Sequence, residues 1–139
     1  MSNELLDQVA VITGGASGMG AATVREFVNA GAKVTFMDIN KDGAQKISEE
    51  TGATAVIGDV SDSTFCTNTI NEVVSTHGRL DILVNCAGTI HRADATGTSD
   101  EQWRQVMAVN IDAVFYLSRA AITHMVTQQS GAIVNFGSI

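Results

Sequence analysis

The sequence predicts an α/β fold, a doubly wound parallel sheet with helices on both of its faces. Two observations predict it. Short β-branched runs alternate with longer segments of helical periodicity, and glycine or small polar residues stand at most boundaries between them. Strands that alternate with helices form parallel sheets through right-handed crossovers, so all the strands are expected to end at one edge of the sheet.

The first strand–helix–strand unit covers residues 8–38. Residues 8–13 (QVAVIT) form a β-branched run that ends at glycines, as a buried parallel strand does before a turn. Residues 18–30 carry apolar side chains at helical spacing, and Gly31 follows where a C-terminal cap is expected. Residues 33–38 (KVTFMD) are the second predicted strand.

The next helices are recognised by their ends. A polar helix is predicted over residues 40–51, with Gly52 closing it, and residues 54–58 (TAVIG) form the third predicted strand. The polar residues 61–63 supply the N-cap of a helix that runs to His77, whose charge suits a helix C-terminus.

The last predicted elements surround a long helix. Residues 81–85 (DILVN) form the fourth strand, and a loop over 88–98 leads to Ser99, which with Gln102 has the spacing of a capping box. Residues 132–136 (AIVNF) form the fifth strand. The apolar face of the long helix is expected to consist of Trp103, Val106, Met107, Ile111, Val114, Phe115, Ile122 and Met125.

Length, composition and charge exclude several classes of protein. A chain of 139 residues fits one domain, predicted over residues 1–139. A hydrophobic content of 45% is too high for a disordered chain, and the absence of an unbroken apolar stretch of about 20 residues argues against a membrane span. The net charge of −7 argues against nucleic acid or an anionic membrane as partner. Because the N-terminus lacks a basic region followed by a long apolar one, a cytoplasmic location is expected.

No metal site is predicted. Cys66 and Cys86 do not form a CxxC pair, so they are expected to be reduced thiols in apolar surroundings. His77, His91 and His124 are scattered, without the four-residue spacing that places two histidines on one helix face.

The turn between the first strand and the first helix, residues 13–20 (TGGASGMG), predicts a dinucleotide-binding site. Glycines let the backbone approach a diphosphate closely, and the helix directs free N–H groups and the positive end of its dipole at the phosphates. The alternative is a turn that is rich in glycine only because its backbone is left-handed. The residues of this turn expected to contact the cofactor are Gly14, Ser17, Gly18, Met19 and Gly20.

Asp38 ends the second strand, close to the offset of about 20 residues at which an acidic side chain binds the adenosine ribose. A carboxylate there repels a 2′-phosphate, and the neighbouring Ile39 and Ser17 are uncharged. The cofactor is therefore predicted to be NAD in preference to NADP, with Asp38 and Ile39 in contact with it. The alternative is that Asp38 only caps the segment that follows it.

Five segments in order resemble motifs of the short-chain dehydrogenases/reductases, whose cofactor-binding portion is a Rossmann-type sheet. The glycine-rich turn resembles TGxxxGxG, and residues 85–88 (NCAG) resemble NNAG with a cysteine in second place. Asn110 and Ser138 match the family's catalytic asparagine and serine. Residues 59–60 (DV) look like its adenine-contacting pair. The resemblance adds Asp59, Val60, Asn85, Ala87 and Gly88 to the expected cofactor contacts.

The resemblance implies an activity, NAD(P)-dependent hydride transfer between an alcohol and a ketone. In the family the serine polarises the substrate carbonyl, a role that falls to Ser138, and the asparagine organises a water, a role that falls to Asn110. A small-molecule alcohol or carbonyl substrate is implied. So is a homo-oligomer, dimer or tetramer, with the long helix as a subunit interface.

The family's Tyr-x-x-x-Lys does not occur in these residues. The single tyrosine, Tyr116, precedes Ser138 and is followed four residues later by Ala120. The sequence is therefore expected to be the cofactor-binding half of such an enzyme, truncated after the fifth strand, with a sheet that is incomplete at its C-terminal side. A truncated, non-catalytic dinucleotide-binding or subunit-interaction fragment is the alternative.

Overall fold

The computed structural model describes residues 2–138, and strands and helices alternate throughout that range. The predicted domain range of 1–139 extends by Met1 and Ile139 beyond the described residues. The strands are β1 Val9–Thr13, β2 Lys33–Asp38, β3 Thr54–Ile57, β4 Ile82–Asn85 and β5 Ala132–Asn135. The helices are α1 Gly18–Asn29, α2 Lys41–Thr51, α3 Ser63–His77, α4 Asp100–Met107 and α5 Ala113–Gln128, with a π-helical segment, Ala108–Asp112, between the last two.

The strands form one five-stranded sheet in the order β3-β2-β1-β4-β5, and every neighbouring pair is parallel. This confirms the predicted parallel α/β architecture. The chain builds the sheet outward from β1 in one direction through β2 and β3, then returns to place β4 on the other side of β1. The order therefore reverses between β1 and β4, which is where open α/β sheets bind ligands at the carboxyl ends of their strands.

The sheet is covered on both faces, as predicted. All five residues of β1 are buried, which explains why four of them are apolar. Alternate residues of β1 and β4 point to opposite faces, so each face has its own core. One core joins Val9, Val11 and Leu83 to α3 and α5 through Ile70, Leu117 and Ala121. The other joins Ala10, Ile12 and Val84 to α1 and α2 through Val24, Ala44 and Ile47.

Most of the predicted helix ends are confirmed. Gly52 and Gly78 adopt φ of 78° and 79° directly after α2 and α3, the left-handed conformation that glycine favours. At the other end of α3, the Asp62 carboxylate accepts hydrogen bonds from two backbone amides. Ser99 and Gln102 form the complete capping box at the start of α4.

Most of the apolar residues predicted for the long helix do not face the core. Trp103 and Phe115 are 61% and 57% exposed, and Ile111 and Ile122 are exposed as well. Of the predicted set only Met125 is buried in the core. The helix instead turns small side chains inward, which permits close approach to α3 and the sheet, and the π-helical segment changes the angular register between α4 and α5. The core-facing residues are Ala113, Leu117, Ala120, Ala121 and Met125.

The continuous helix over residues 100–128 is long and apolar enough to cross a membrane, by length and composition alone. Its most apolar 18-residue window has a mean hydropathy of 1.3. A core helix of a soluble protein satisfies the same two criteria, and α5 does contribute residues to the core. The absence of a membrane partner remains a prediction.

Candidate functional site

A cleft of about 620 Å³ lies at the carboxyl edge of the sheet, above the ends of β1, β2 and β4. Its position is the one expected where the strand order reverses. Its lining includes residues from the start of α1 and from the π-helical segment. The predicted cofactor contacts that line it are Gly14, Ser17, Met19, Gly20, Asp38, Ile39, Asp59, Val60, Ala87 and Gly88.

The glycine-rich turn is tight because two of its glycines, Gly14 and Gly20, are packed against backbone. Gly14 has a φ of 69°, and a Cβ there would lie 2.9 Å from the Ala87 Cα atom. A Cβ on Gly20 would overlap the Gly14 carbonyl oxygen. The turn therefore needs glycine at both positions for reasons of space. The alternative explanation, a left-handed backbone alone, does not account for Gly20, whose φ is not positive.

The start of α1 faces the cleft with unpaired donors. The first intrahelical bond of this turn runs from Ala21 N to Ser17 O over 3.1 Å, so by helix geometry the amides of Gly18, Met19 and Gly20 have no intrahelical acceptor. The Ser17 hydroxyl does not cap the helix, and the first turn contains no acidic residue. Three amides and the positive end of the helix dipole are thus available for an anion. Gly18 itself is not among the residues that line the cleft.

The Asp38 carboxylate is held at the cleft by two backbone amides. One of its oxygens accepts from Ala16 N and the other from Asn40 N, each over 2.9 Å. The residue that caps α2 is Asn40, whose side chain accepts from Gly43 N. Asp38 therefore joins the glycine-rich turn to the end of β2, and α2 is capped by Asn40 instead.

Asp59 and Val60 follow β3 and line the cleft. Asp59 Oδ1 accepts from Ser61 N over 2.9 Å and from Ser61 Oγ over 2.8 Å, which fixes the orientation of the carboxylate. Behind it, the Cys66 thiol donates to Val60 O. Burial, with the nearby charges of Asp62 and Asp59, raises the pKa of Cys66 to about 11, so this thiol is protonated at neutral pH.

Thr13, the last residue of β1, connects the two walls of the cleft. Its hydroxyl oxygen accepts from Cys86 N over 3.0 Å and from Ala87 N over 2.9 Å. The side chain is buried, at 2% exposure. Sequence reasoning gave Thr13 no role, although a threonine between a buried apolar strand and a glycine-rich turn is a usable signal.

Asn85 lies beneath the cleft, not in its lining. The side chain is 4% exposed, and its Nδ2 donates to Asn135 Oδ1 over 2.9 Å. The Ser118 oxygen of α5 lies 3.4 Å from the same nitrogen. The structure therefore places this predicted cofactor contact between β4, β5 and α5.

Asn110 lies in the π-helical segment and forms hydrogen bonds with the loop that follows β4. Its Oδ1 accepts from Thr89 N over 2.8 Å, and its Nδ2 donates to Thr89 O over 2.9 Å. A Cβ on Gly88 would lie 3.6 Å from the same Oδ1, so Asn110 stands directly beside the cleft wall. A π-helical turn often marks a functional site because it shifts one residue out of helical register.

Ser138, the predicted catalytic serine, is exposed and follows β5 by three residues. It is not among the residues that line the cleft. Sequence reasoning did not assign several residues that do line it, because most are apolar or lie outside the motifs, and Cys86 departs from its motif: Met37, Gly58, Ser61, Cys86, Thr89, Gln105, Ala108 and Val109.

Cys86 is a half-buried free thiol in the cleft wall. Burial raises its pKa, so the thiolate is disfavoured. Within residues 2–138 no group of three or more histidine, cysteine, aspartate or glutamate side chains could hold a metal ion. The absence of a metal from the functional site stays a prediction.

The family model for "short chain dehydrogenase" matches residues 8–139. The chain belongs to the short-chain dehydrogenases. This confirms the resemblance, and with it the enzymatic character of the family, its oxidoreductase chemistry and its use of nicotinamide cofactors in general.

Named relatives and a solved structure are similar to this short-chain dehydrogenase over nearly all of its residues. It is 38% identical to 2,5-dichloro-2,5-cyclohexadiene-1,4-diol dehydrogenase LinX of Sphingobium indicum, covering 100% of this chain and 58% of LinX. It is 38% identical to galactitol 2-dehydrogenase (L-tagatose-forming) of Cereibacter sphaeroides, covering 94% and 52%. The crystal structure of gox2181 superposes with a TM-score of 0.92 at 33% identity, covering 97% and 55%. The chain thus spans just over half the length of these proteins.

Proposed function

We propose that these residues form the nicotinamide-dinucleotide-binding part of an oxidoreductase that moves hydride between NAD and a small alcohol or ketone. One observation supports this most strongly. The open amides at the start of α1 and the fixed carboxylate of Asp38 face the same cleft, in a chain of the short-chain dehydrogenase family. An acidic chain can bind a diphosphate there because backbone amides supply the donors.

The residues present fit such a cofactor. Glycine at positions 14 and 20 permits the tight turn, because a Cβ at either would meet backbone atoms, and the turn brings the free amides at the start of α1 to the cleft. Asp38 would accept hydrogen bonds from the ribose hydroxyls, and Asp59 with Val60 would contact the adenine. The segment after β4, from Cys86 to Thr89, would lie beside the nicotinamide. When bound, the cofactor supplies the hydride acceptor or donor.

NAD is the proposed cofactor in preference to NADP. Two backbone amides hold the Asp38 carboxylate, so it cannot turn aside from a 2′-phosphate without losing both bonds. Repulsion between the two anions in a partly buried site then disfavours NADP. The exposed Ile39, which follows Asp38, offers no positive charge to compensate.

Titration of the whole protein with NAD and with NADP tests the proposal. We expect NAD to bind at least about tenfold more tightly, which corresponds to about 1.4 kcal/mol. Asp38→Ala should reduce the difference between the affinities for NAD and NADP. Asp42→Ala is the matched control, because it removes an acidic side chain four residues away, outside the cleft, and should leave that difference unchanged. Equal affinities before mutation would refute the role given to Asp38, and no binding of either would refute the proposed function.

The catalytic roles proposed for Ser138 and Asn110 concern the whole protein. Ser138 would donate a hydrogen bond to the substrate oxygen, and Asn110 would hold the loop beside the cofactor and orient a water. The names of the two relatives, which act on a cyclohexadiene diol and on galactitol, support a polyhydroxylated substrate. In the whole protein, Ser138→Ala should lower the rate of NAD reduction with such alcohols by about 10²-fold or more.

A second candidate, a dinucleotide-binding fragment without catalysis, is favoured by one observation. The only tyrosine in these residues, Tyr116, has Ala120 where the family's motif requires lysine. Reading the coding sequence past Ile139 separates the two. A Tyr-x-x-x-Lys a short distance beyond Ser138 supports hydride transfer, whereas an immediate stop codon supports the fragment.

A homo-oligomer, dimer or tetramer, and a cytoplasmic location complete the proposal. Exposed apolar side chains along the helix of residues 100–128, which we call the outer face, support self-association: Trp103, Ile111, Phe115, Ile122 and Val126. Phe115→Glu should lower the mass measured by sedimentation. Leu6→Glu, which changes an equally exposed apolar residue elsewhere, is the control. A monomeric parent protein would contradict the proposal.

A further inference from the structure

A buried amide at the end of β4 is tied to the end of β5, and the proposed function gives it no role. The Asn85 side chain is 4% exposed and donates to Asn135 Oδ1. Its own Oδ1 is buried and has no hydrogen-bond partner within residues 2–138. A buried amide oxygen without a donor destabilises a fold, and an apolar side chain would occupy this strand position at lower cost. Stability alone therefore does not explain an asparagine here.

The backbone pairing of β4 with β5 also extends past this side-chain bond. Phe136 N donates to Asn85 O over 3.0 Å, directly after the side-chain bond from Asn85 to Asn135. Beyond Phe136, a Cβ on Gly137 would meet no atom within 4 Å, and Ser138 is exposed. Asn85 thus holds the last two anchored residues before Ser138.

On its other side Asn85 is continuous with the wall of the cleft. The next two residues, Cys86 and Ala87, donate their amides to Thr13 at the glycine-rich turn. Ser118 of α5 approaches the Asn85 amide from below. Asn85 therefore connects the turn that would hold the diphosphate to the strand that carries Ser138.

We propose that Asn135 is a positioning residue for Ser138. Its side chain, held by Asn85, fixes where the segment after β5 emerges relative to the cleft, and so places the Ser138 hydroxyl near the nicotinamide end of the cofactor. This inference rests on the proposed function, because it takes that function's cofactor and serine as given. Asn135 itself would touch neither cofactor nor substrate.

The test measures where residue 138 lies when the cofactor is bound. In the whole protein, Ser138→Cys provides a thiol whose alkylation by iodoacetamide is followed by peptide mass spectrometry, which separates it from Cys66 and Cys86. With NAD at ten times its Kd, a thiol fully shielded by the cofactor reacts about tenfold more slowly. Asn135→Leu in this background should abolish most of that protection while the Kd for NAD and the urea midpoint change little.

Two further variants distinguish an effect on the position of Ser138 from an effect on the stability of β5. Asn135→Asp keeps the oxygen that accepts from Asn85 Nδ2 and should retain the protection. Val134→Ala weakens the packing of β5 without touching the amide pair and should retain it too. If Asn135→Leu does not fold, Asn135→Ser, which is too short to reach Asn85, takes its place under the same criterion.

Each outcome decides the matter. Protection that is lost in Asn135→Leu and kept in Asn135→Asp supports the inference. Equal protection in the parent and in Asn135→Leu overturns it. NAD binding without any protection in the parent also overturns it, and leaves the dinucleotide site standing. If NAD does not bind the parent at all, the proposed function fails, and this inference fails with it.

Discussion

Single residues decide whether the cleft can hold a dinucleotide, and Gly20 is the most constrained of them. Gly20→Ala would push a methyl group into the Gly14 carbonyl oxygen. The turn would have to open, at a cost of about 1–3 kcal/mol, and NAD binding should be lost or weakened at least tenfold. Gly137→Ala, where the added carbon meets open space, is the control in a calorimetric titration. Unchanged affinity in Gly20→Ala would show that the turn is not the phosphate site.

For single residues, the sequence predicts roles that depend on spacing along the chain. It misses contacts between residues that are far apart in sequence. The glycine-rich turn and Asp38 are recognisable because spacing along the chain is enough to place them. The contacts of Thr13 are not, because its partners lie 73 and 74 residues away. Asn85 was predicted to be a cofactor contact because it belongs to a motif. Strand alternation, together with the partner strand β5, decides instead that its side chain lies beneath the cleft.

At the scale of elements, a charged tie fixes the start of β4 to the start of β1. Asp81, which is buried, accepts from Val9 N over 2.8 Å and from Arg79 Nε over 2.9 Å. Burial opposes the ionisation of Asp81, but the hydrogen bonds from Arg79 and Val9 outweigh it and hold the pKa of the carboxyl below its ordinary value of 3.8. The charged carboxylate thus stabilises the fold.

Asp81→Asn should lower the free energy of unfolding at pH 7 by about 2 kcal/mol. The pKa of Asp81 is lower in the folded protein than in the unfolded chain, so the ionised carboxylate contributes its full stabilisation above the unfolded pKa. That stabilisation is lost as the pH falls through the folded pKa. The difference between parent and variant should therefore stay constant down to about pH 5 and shrink below about pH 4. Urea unfolding across this range measures it, with Glu72→Gln, which changes an exposed carboxylate, as control. A difference that grows on acidification would contradict the assignment.

Asn110 of the π-helical segment is expected to stabilise the loop over residues 88–98. Asn110→Asp keeps the acceptor for Thr89 N but loses the donor to Thr89 O. The loop should then exchange its amide hydrogens about tenfold faster, a loss of about 1.4 kcal/mol of local stability. Thr123→Ala, on the same helix away from the loop, is the control. Exchange that is unchanged in Asn110→Asp would mean that other contacts hold the loop.

Helix ends were predictable here, whereas helix faces were not. The caps at Ser99, Gly52 and Gly78 depend on one or two residues each, so short patterns suffice. The inward face of α5 depends on a change of register at residues 108–112 and on how close α3 lies. Neither can be read from apolar periodicity, because exposed Phe115 and buried Leu117 are both apolar.

At the scale of the whole molecule, the outer edge of β5 is open within residues 2–138, and its apolar side chains are partly exposed. Val134 and Phe136 are 46% and 40% exposed. Unpaired strand edges of this kind pair with other chains, so the isolated 139-residue chain should aggregate at micromolar concentration. Val134→Lys should raise its soluble fraction, whereas Ile57→Lys, of similar exposure at the β3 edge, should do so less. A parent chain that stays monomeric and melts in one steep transition would contradict this.

The central place of β1 has a consequence for how the protein is made. The ribosome completes β1 before the other four strands described here, yet the Asp81 carboxylate that binds Val9 N is 72 residues further along. At roughly 5–20 residues per second, one flank of the nascent strand waits on the order of ten seconds for its neighbour. The middle strand of this sheet is thus made before its neighbours and is enclosed on both sides only after β4 has followed.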